Sequence, residues 1–224
     1  MQKFATAAPI AAVLDVPAGL IRFIAADRAD TTVEILPADA SKGRDVKAAA
    51  QTTATYADGV LRIAAAPAKN QVLGNHPGSV EITVQLPAGS RIEAKTAAAE
   101  LHTTGRLGDV TFQSAQGTAT LDETASAHLT LMAGDVSVGR LAGPAQITTQ
   151  KGNLQITEAV RGTVELTTQA GDITVGAARG VSATLDAGTT HGRIHNALNN
   201  TEGAGAGLTI RATTSYGDIT ARSN

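Results

Sequence analysis

TTQAGDITV, Thr167 to Val175, has near-copies in TTQKGNLQI at 148–156 and TTSYGDITA at 213–221. Aligned by glycine, the phrase marks Ala99, Gly117, Gly134, Gly152, Gly171, Gly192 and Gly217, at spacings of 18, 17, 18, 19, 21 and 25. A recurring period of this size is the signature of a solenoid, in which each repeat buries its apolar face only against its neighbours. Before the glycine, apolar or small residues stand seven, five and three places back, as in Val164, Leu166 and Thr168. After it they stand two and four places on, as in Val136 and Val138, Leu154 and Ile156, or Ile173 and Val175. Each run alternates like a strand with one buried face. The parity changes across the glycine, which a straight strand cannot do and a corner can. Glycine accepts positive φ there, and a following Asp or Asn can bond back to the backbone. The predicted corners are Gly134–Asp135, Gly152–Asn153, Gly171–Asp172 and Gly217–Asp218.

Further glycines, Gly108, Gly143, Gly162 and Gly180, close the other end of each unit, after Leu107, Leu141 or Val160 in the first three. Each unit thus holds two short strands, two corners and a brief third side. The expected fold is all-β, a single-chain β-solenoid over residues 91–224 with repeats of about 18 residues, continuous with a β-rich cap over residues 1–90. The cap reads as strands at Val13–Val16, Leu20–Ala25, Val33–Leu36, Val60–Ala64 and Val80–Leu86. Asp39–Gln51 reads as a loop or short helix, and Asn70–Gly78 as a loop. Pro-Ala-Gly separates two strands in both DVPAGLIRFIAA at 15–26 and QLPAGSRIEAKT at 85–96.

Composition bounds the rest. The 224 residues are 42% hydrophobic but only 2% aromatic, so the core must be built from small and β-branched side chains. Net charge is −2 with no basic run, so the electrostatic footprint of a nucleic-acid binder is missing. With no cysteine there are neither disulfides nor thiolate metal sites. No apolar segment is long enough to span a bilayer as a helix. Pro9 and Asp15 interrupt the apolar N-terminus, which reads as mature sequence beginning with a strand. The expected compartment is the cytoplasm, with a secreted or cell-surface location as the alternative.

The N-terminal VPAGLIRFIAAD and VEILP, the joint EITVQLPAGSRIEAKT, the repeated GD-I/V-T phrase and the ending TTSYGDITARSN resemble a bacterial family of β-strand-repeat proteins labelled candidate adhesins, of unknown function. The resemblance spans nearly the whole chain. Its motifs are structural turns, so it implies an architecture and no catalytic residues.

Candidate chemistry is sparse. A ladder of Asp135, Asn153 and Asp172 along one corner could be imagined around calcium, but Thr118 and Arg193 break the row, and it reads as turn chemistry. The histidines are His76, His102, His128, His191 and His195. His102 and His195 share a phase five coils apart, while His191 and His195 flank Gly192. They read as exposed polar residues. The outward pairs are Thr111/Gln113, His128/Thr130, Gln146/Thr148, Glu165/Thr167 and Arg211/Thr213, and strand propensity explains their threonines. Arg106, Arg140, Arg161 and Arg179 fall near the second corner and form a candidate partner-binding stripe. EGAGAG at 202–207 reads as a loop before the last coil. No cofactor or metal site is expected.

The function expected from these features is a non-catalytic binding or scaffold module with a protein partner. The terminal coil, Leu208–Ala221, would expose strand edges and allow end-to-end self-association. The alternatives are a surface adhesin or glycan-binding protein, and a β-helix enzyme acting on polysaccharides or acyl groups, with His191 or His195 beside a carboxylate.

Overall fold

Strands form where the alternation predicts them. The computed structural model describes residues 1–66 and 78–224, so the loop expected at Asn70–Gly78 falls, except for Gly78, outside the described residues, as does His76. The N-terminal elements are β1 (Gln2–Ala5), β2 (Ala11–Asp15), β3 (Ala18–Ala26), β4 (Asp30–Pro37), α1 (Gly43–Gln51), β5 (Thr53–Ala57), β6 (Val60–Ala64) and β7 (Val80–Pro87). Three long strands follow, β8 (Arg91–Thr104), β9 (Arg106–Gln116) and β10 (Ala119–Ala133). Then come β11 (Val136–Leu141), β12 (Ala145–Lys151), β13 (Leu154–Ala159), β14 (Gly162–Ala170), β15 (Ile173–Ala177), β16 (Ala183–His191), β17 (Ile194–Ala197), β18 (Leu208–Tyr216) and β19 (Ile219–Ser223). A single 3₁₀ turn at Gly203–Gly205 lies in the EGAGAG loop, between β17 and β18.

The strands build two walls that share one core. Strands before the glycine corner pair in the first wall and strands after it pair in the second. In the first wall β10 pairs β12, β12 pairs β14 and β14 pairs β18, all parallel. In the second, β10 pairs β11, then β13, β15 and β19 follow, also parallel. β8 and β10 each serve both walls, with their two halves meeting different partners. Val136, Leu154 and Ile173 are buried in one column, as are Phe112, Leu129, Ile147 and Leu166 on the facing wall. The predicted change of parity at the corner is therefore real.

The repeated phrase can be read position by position. Thr167 faces outward, while Thr168 is buried and its hydroxyl donates to the Gly152 carbonyl of the adjacent coil at 3.1 Å. Thr214 repeats this on Gly171 at 3.0 Å and Thr189 on Gly217 at 3.0 Å. The corner glycines need their missing side chain twice over. Gly152 has φ +145°, and a Cβ on it would overlap the carbonyl oxygen of Gly134 one coil away. The Asp and Asn after the glycine bond differently from the sequence expectation. Their side chains do not turn back on their own backbone but accept from the next coil. Asn153 N donates to Asp135 Oδ1 at 2.7 Å, Asp172 N to Asn153 Oδ1 at 2.8 Å, and Asp218 N to Asp172 Oδ1 at 2.8 Å. A ladder between coils satisfies an N–H that a stack would otherwise leave unpaired at each corner.

Coil order in space departs from coil order in sequence at both ends. β18 lies between β14 and β16, and β19 between β15 and β17. The coil Leu208–Ala221 is therefore flanked on both sides and is not terminal; the terminal coil is Ala183–Ala197. The observed order keeps unlike charges adjacent. In the observed register Arg211 stands between Glu165 and Asp186, whereas sequential stacking would set Glu165 directly beside Asp186. At the other end β2 lies between β6 and β8, and β3 between β7 and β8. Residues 11–26 are thus a full coil of the stack. The sheets run through position 90 without a break, so the region expected as a cap carries part of the solenoid itself.

Three antiparallel pairings, β1–β4, β4–β7 and β5–β6, close that end. Phe4 and Tyr56, on the two edge strands, meet with ring centroids 5.7 Å apart. The helical alternative for Asp39–Gln51 holds as α1, and its Asp45 is buried with Oδ1 accepting the Ser79 N–H at 3.0 Å.

Candidate interaction surface

The outward columns follow from the same register. On the first wall Glu93, Thr111, His128, Gln146, Glu165, Arg211 and Asp186 run down one line. The next line holds Gln113, Thr130, Thr148, Thr167 and Thr213, so all five predicted outward pairs face solvent, fully or in part. Arg211 Nη1 meets Glu165 Oε1 at 3.1 Å. A shallow depression of about 340 Å³ opens beside Asp109, Ser126, His128 and Glu165. Ser126 Oγ donates to Asp109 Oδ1 at 2.7 Å, and Arg91 Nε lies 3.5 Å from Asp109 Oδ2. Among the described residues, no group of three or more His, Asp or Glu comes together as metal ligands do.

Of the four arginines, Arg106 and Arg140 share a column, with Glu123 between them and Glu158 next in line. Arg140 pairs with Glu158. Arg161 sits in the turn after β13, its Nε donating to the Ala142 carbonyl at 3.2 Å, and Arg179 is exposed in the turn after β15. The four share a corner without forming an unbroken basic stripe, because Glu123 and Glu158 interrupt it. The sequence places both glutamates at the same phase, a signal visible only once neighbouring coils are set in register.

His102 and His195 do share a column. The inserted β19 sets them six strand steps apart rather than five, roughly 29 Å. His102 Nε2 lies 3.6 Å from Glu100 Oε2. His191 stacks flat on Tyr216, with centroids 4.7 Å apart and planes 6° from parallel. No spacing in the sequence points to this pair, since only the inserted coil brings the two residues side by side. The pair sits at the open end of the stack. There Ile194 is 46% exposed, Leu185 and Ala187 are only half-buried, and β16 and β17 pair on one side only among the described residues.

Three carboxylates are displaced from their usual range. Asp30 is held at about 2 by hydrogen bonds from Arg28 and then Lys3, and Asp39 at about 2 by Ser41 and then Lys42. Asp218 is lowered first by the Arg193 backbone N–H and then by its guanidinium, whose Nη2 lies 3.0 Å from Oδ2. All three serve structural links at the ends of the stack.

The sequence profile of the Toastrack DUF4097 family matches residues 45–222. The chain belongs to this family. Its molecular role is unknown, and no curated protein matches the chain. Six chains of solved structure match it. One is a candidate adhesin of Bacteroides fragilis, 16% identical, covering 98% of this chain and 95% of that one with a TM-score of 0.61. Another is a candidate cell adhesion protein of Clostridium sporogenes, 14% identical, covering 100% and 98%, with a TM-score of 0.38. The first shares the toastrack fold. No helix among the described residues is long and apolar enough to cross a membrane.

Proposed function

We propose that this toastrack protein is a non-catalytic binding or scaffold module of the cytoplasm, and that its partner is another protein met at the open end of the stack. The observation that carries this reading is the contrast between the two ends. One is closed by antiparallel strands and an aromatic contact, while the other leaves half-buried Leu185 and Ala187 and an exposed Ile194 beside unpaired strand edges. The alternating charges of the walls suit solvent, and among the described residues no arrangement of nucleophile, base and carboxylate competes with the structural use of the polar groups.

Photo-crosslinking tests the proposal. A photoreactive residue at position 194 in the native cell should give discrete protein adducts, and one at Thr130 on the wall should give none. Adducts absent from every face, or turnover of polysaccharides or acyl donors by purified protein, would overturn the reading. A surface adhesin is the second reading, favoured by the fold shared with the candidate adhesin of B. fragilis. Cell fractionation separates the two: the module belongs in the cytoplasmic fraction, the adhesin on the surface or in the medium.

A further inference from the structure

We propose that the free edge of β16 accepts an extended peptide strand from the partner protein, and that this strand carries a basic residue between two apolar ones. The inference rests on the binding-module reading and names the partner's chemistry. β16 is nine residues long, whereas β1 and β5, the strands at the closed end that pair on one side only among the described residues, have four and five, and short edges resist strand addition. Its filled side shows what it accepts. β18 lies parallel to it, with Ile210 against Leu185, Arg211 against Asp186 and Ala212 against Ala187.

On the open side the same three positions ask for the same chemistry. Leu185 and Ala187 point into the core and stay half-buried, so apolar neighbours would extend it. Asp186 is exposed, and Arg211 bonds to Glu165 rather than to it. The column runs Glu165, Arg211, Asp186, and a cation at the next step continues the alternation and leaves no like charges adjacent. Gly188 leaves open space beside it for a bulky side chain. Main-chain hydrogen bonds would supply affinity and the alternate side chains specificity, as in other strand additions.

The probe is a labelled peptide, LTIRATTSY, copied from residues 208–216, titrated onto the full-length protein. Saturable binding is expected, with slowed amide exchange in 183–191 and no change in 208–216. Asp186→Lys should weaken binding about tenfold, equivalent to about 1.4 kcal/mol, and the charge-reversed peptide LTIDATTSY should recover it on that variant. Circular dichroism checks that the variant keeps its strands, and Asp186→Asn should fall between the two. No binding, equal binding to Asp186→Lys, or faster exchange in 208–216 (displacement of β18) would each overturn the proposal. Pairing of two copies through this edge, seen by sedimentation, would also overturn it. Failure here with crosslinks still forming at position 194 removes the edge site alone; no crosslinks on any face removes the module reading as well.

Discussion

The two ends of the stack solve the same problem differently. Every solenoid must end, and its last coil has no neighbour to cover its core or pair its backbone. At the N-terminal end the chain reverses direction in β4 and β5, adds β1, packs α1 against β4 and brings Phe4 onto Tyr56. At the other end nothing among the described residues reverses. β16 and β17 stop with one side free, and all four residues of β17 are exposed. Yet both ends share one device, in which a segment near a chain terminus slips inside a coil that precedes or follows it in sequence. Terminal segments usually fray. Here residues 11–26 and 208–223 are each paired on both sides, whereas β1, β5, β16 and β17 pair on one side only among the described residues.

This contrast should be sharpest at the glycines. Gly152→Ala places a Cβ in left-handed backbone against the Gly134 carbonyl, and strain and overlap together should destabilise by about 4 kcal/mol in urea unfolding. Gly188→Ala, on the open coil, meets nothing within 4 Å and should change stability by less than about 0.5 kcal/mol. Similar losses at the two sites would mean that the open coil is covered in solution.

Core truncations come next. Leu154 is buried between coils, and Leu154→Ala should cost about 3 kcal/mol. Ile194 occupies the same column on the open coil, and Ile194→Ala should cost about 1 kcal/mol or less. Thr168→Val isolates a smaller effect. Losing its bond to the Gly152 carbonyl should cost about 1 kcal/mol, whereas Thr167→Val, one residue away and outward, should be close to neutral.

How far the fold and its surfaces can be read from the sequence depends on the length scale. Within a coil, alternation and the glycine dictate which side chains turn inward, and Thr168 and Ile173 do point into the core as that rule requires. Between coils, near-identical phrases fit one another in any order. TTQAGD accepts TTSYGD as readily as its sequential neighbour, and nothing within the phrase chooses between them; the observed order sets Arg211 between Glu165 and Asp186. Sequence order therefore names the wrong terminal coil, and with it the wrong separation of His102 from His195. It also hides the pairing of His191 with Tyr216. The arginines fail likewise: Arg106 and Arg140 stand out along the chain, but Glu123 and Glu158 matter only as neighbours across coils. The corner Asp and Asn read as turn residues, yet their acceptor role is intercoil, and a local turn rule does not contain it. The open edge of β16 is likewise a property of the order of coils.

The least effect is expected where the open coil is tied to the body by charge. Asp218 Oδ1 accepts the Arg193 N–H at 2.8 Å, and the Arg193 guanidinium, on a side chain 90% exposed, adds a second bond. Both lower the Asp218 pKa, the backbone bond most. For a carboxylate with a depressed folded pKa, the stabilisation is present above the unfolded value, about 3.9, and is lost as pH falls through the folded one. Acid should therefore loosen residues 183–197 by releasing this link. Asn153 shows that an amide at the equivalent corner still accepts the next coil's N–H, from Asp172 at 2.8 Å. Asp218→Asn should accordingly keep the ladder and lose only the charge. Its amide-exchange protection at 194–197, relative to the wild type, should be lower at neutral pH and indistinguishable once Asp218 is protonated. An unchanged pH profile in that variant would assign the acid sensitivity of the open coil to another group and leave the Arg193–Asp218 pair as geometry without linkage.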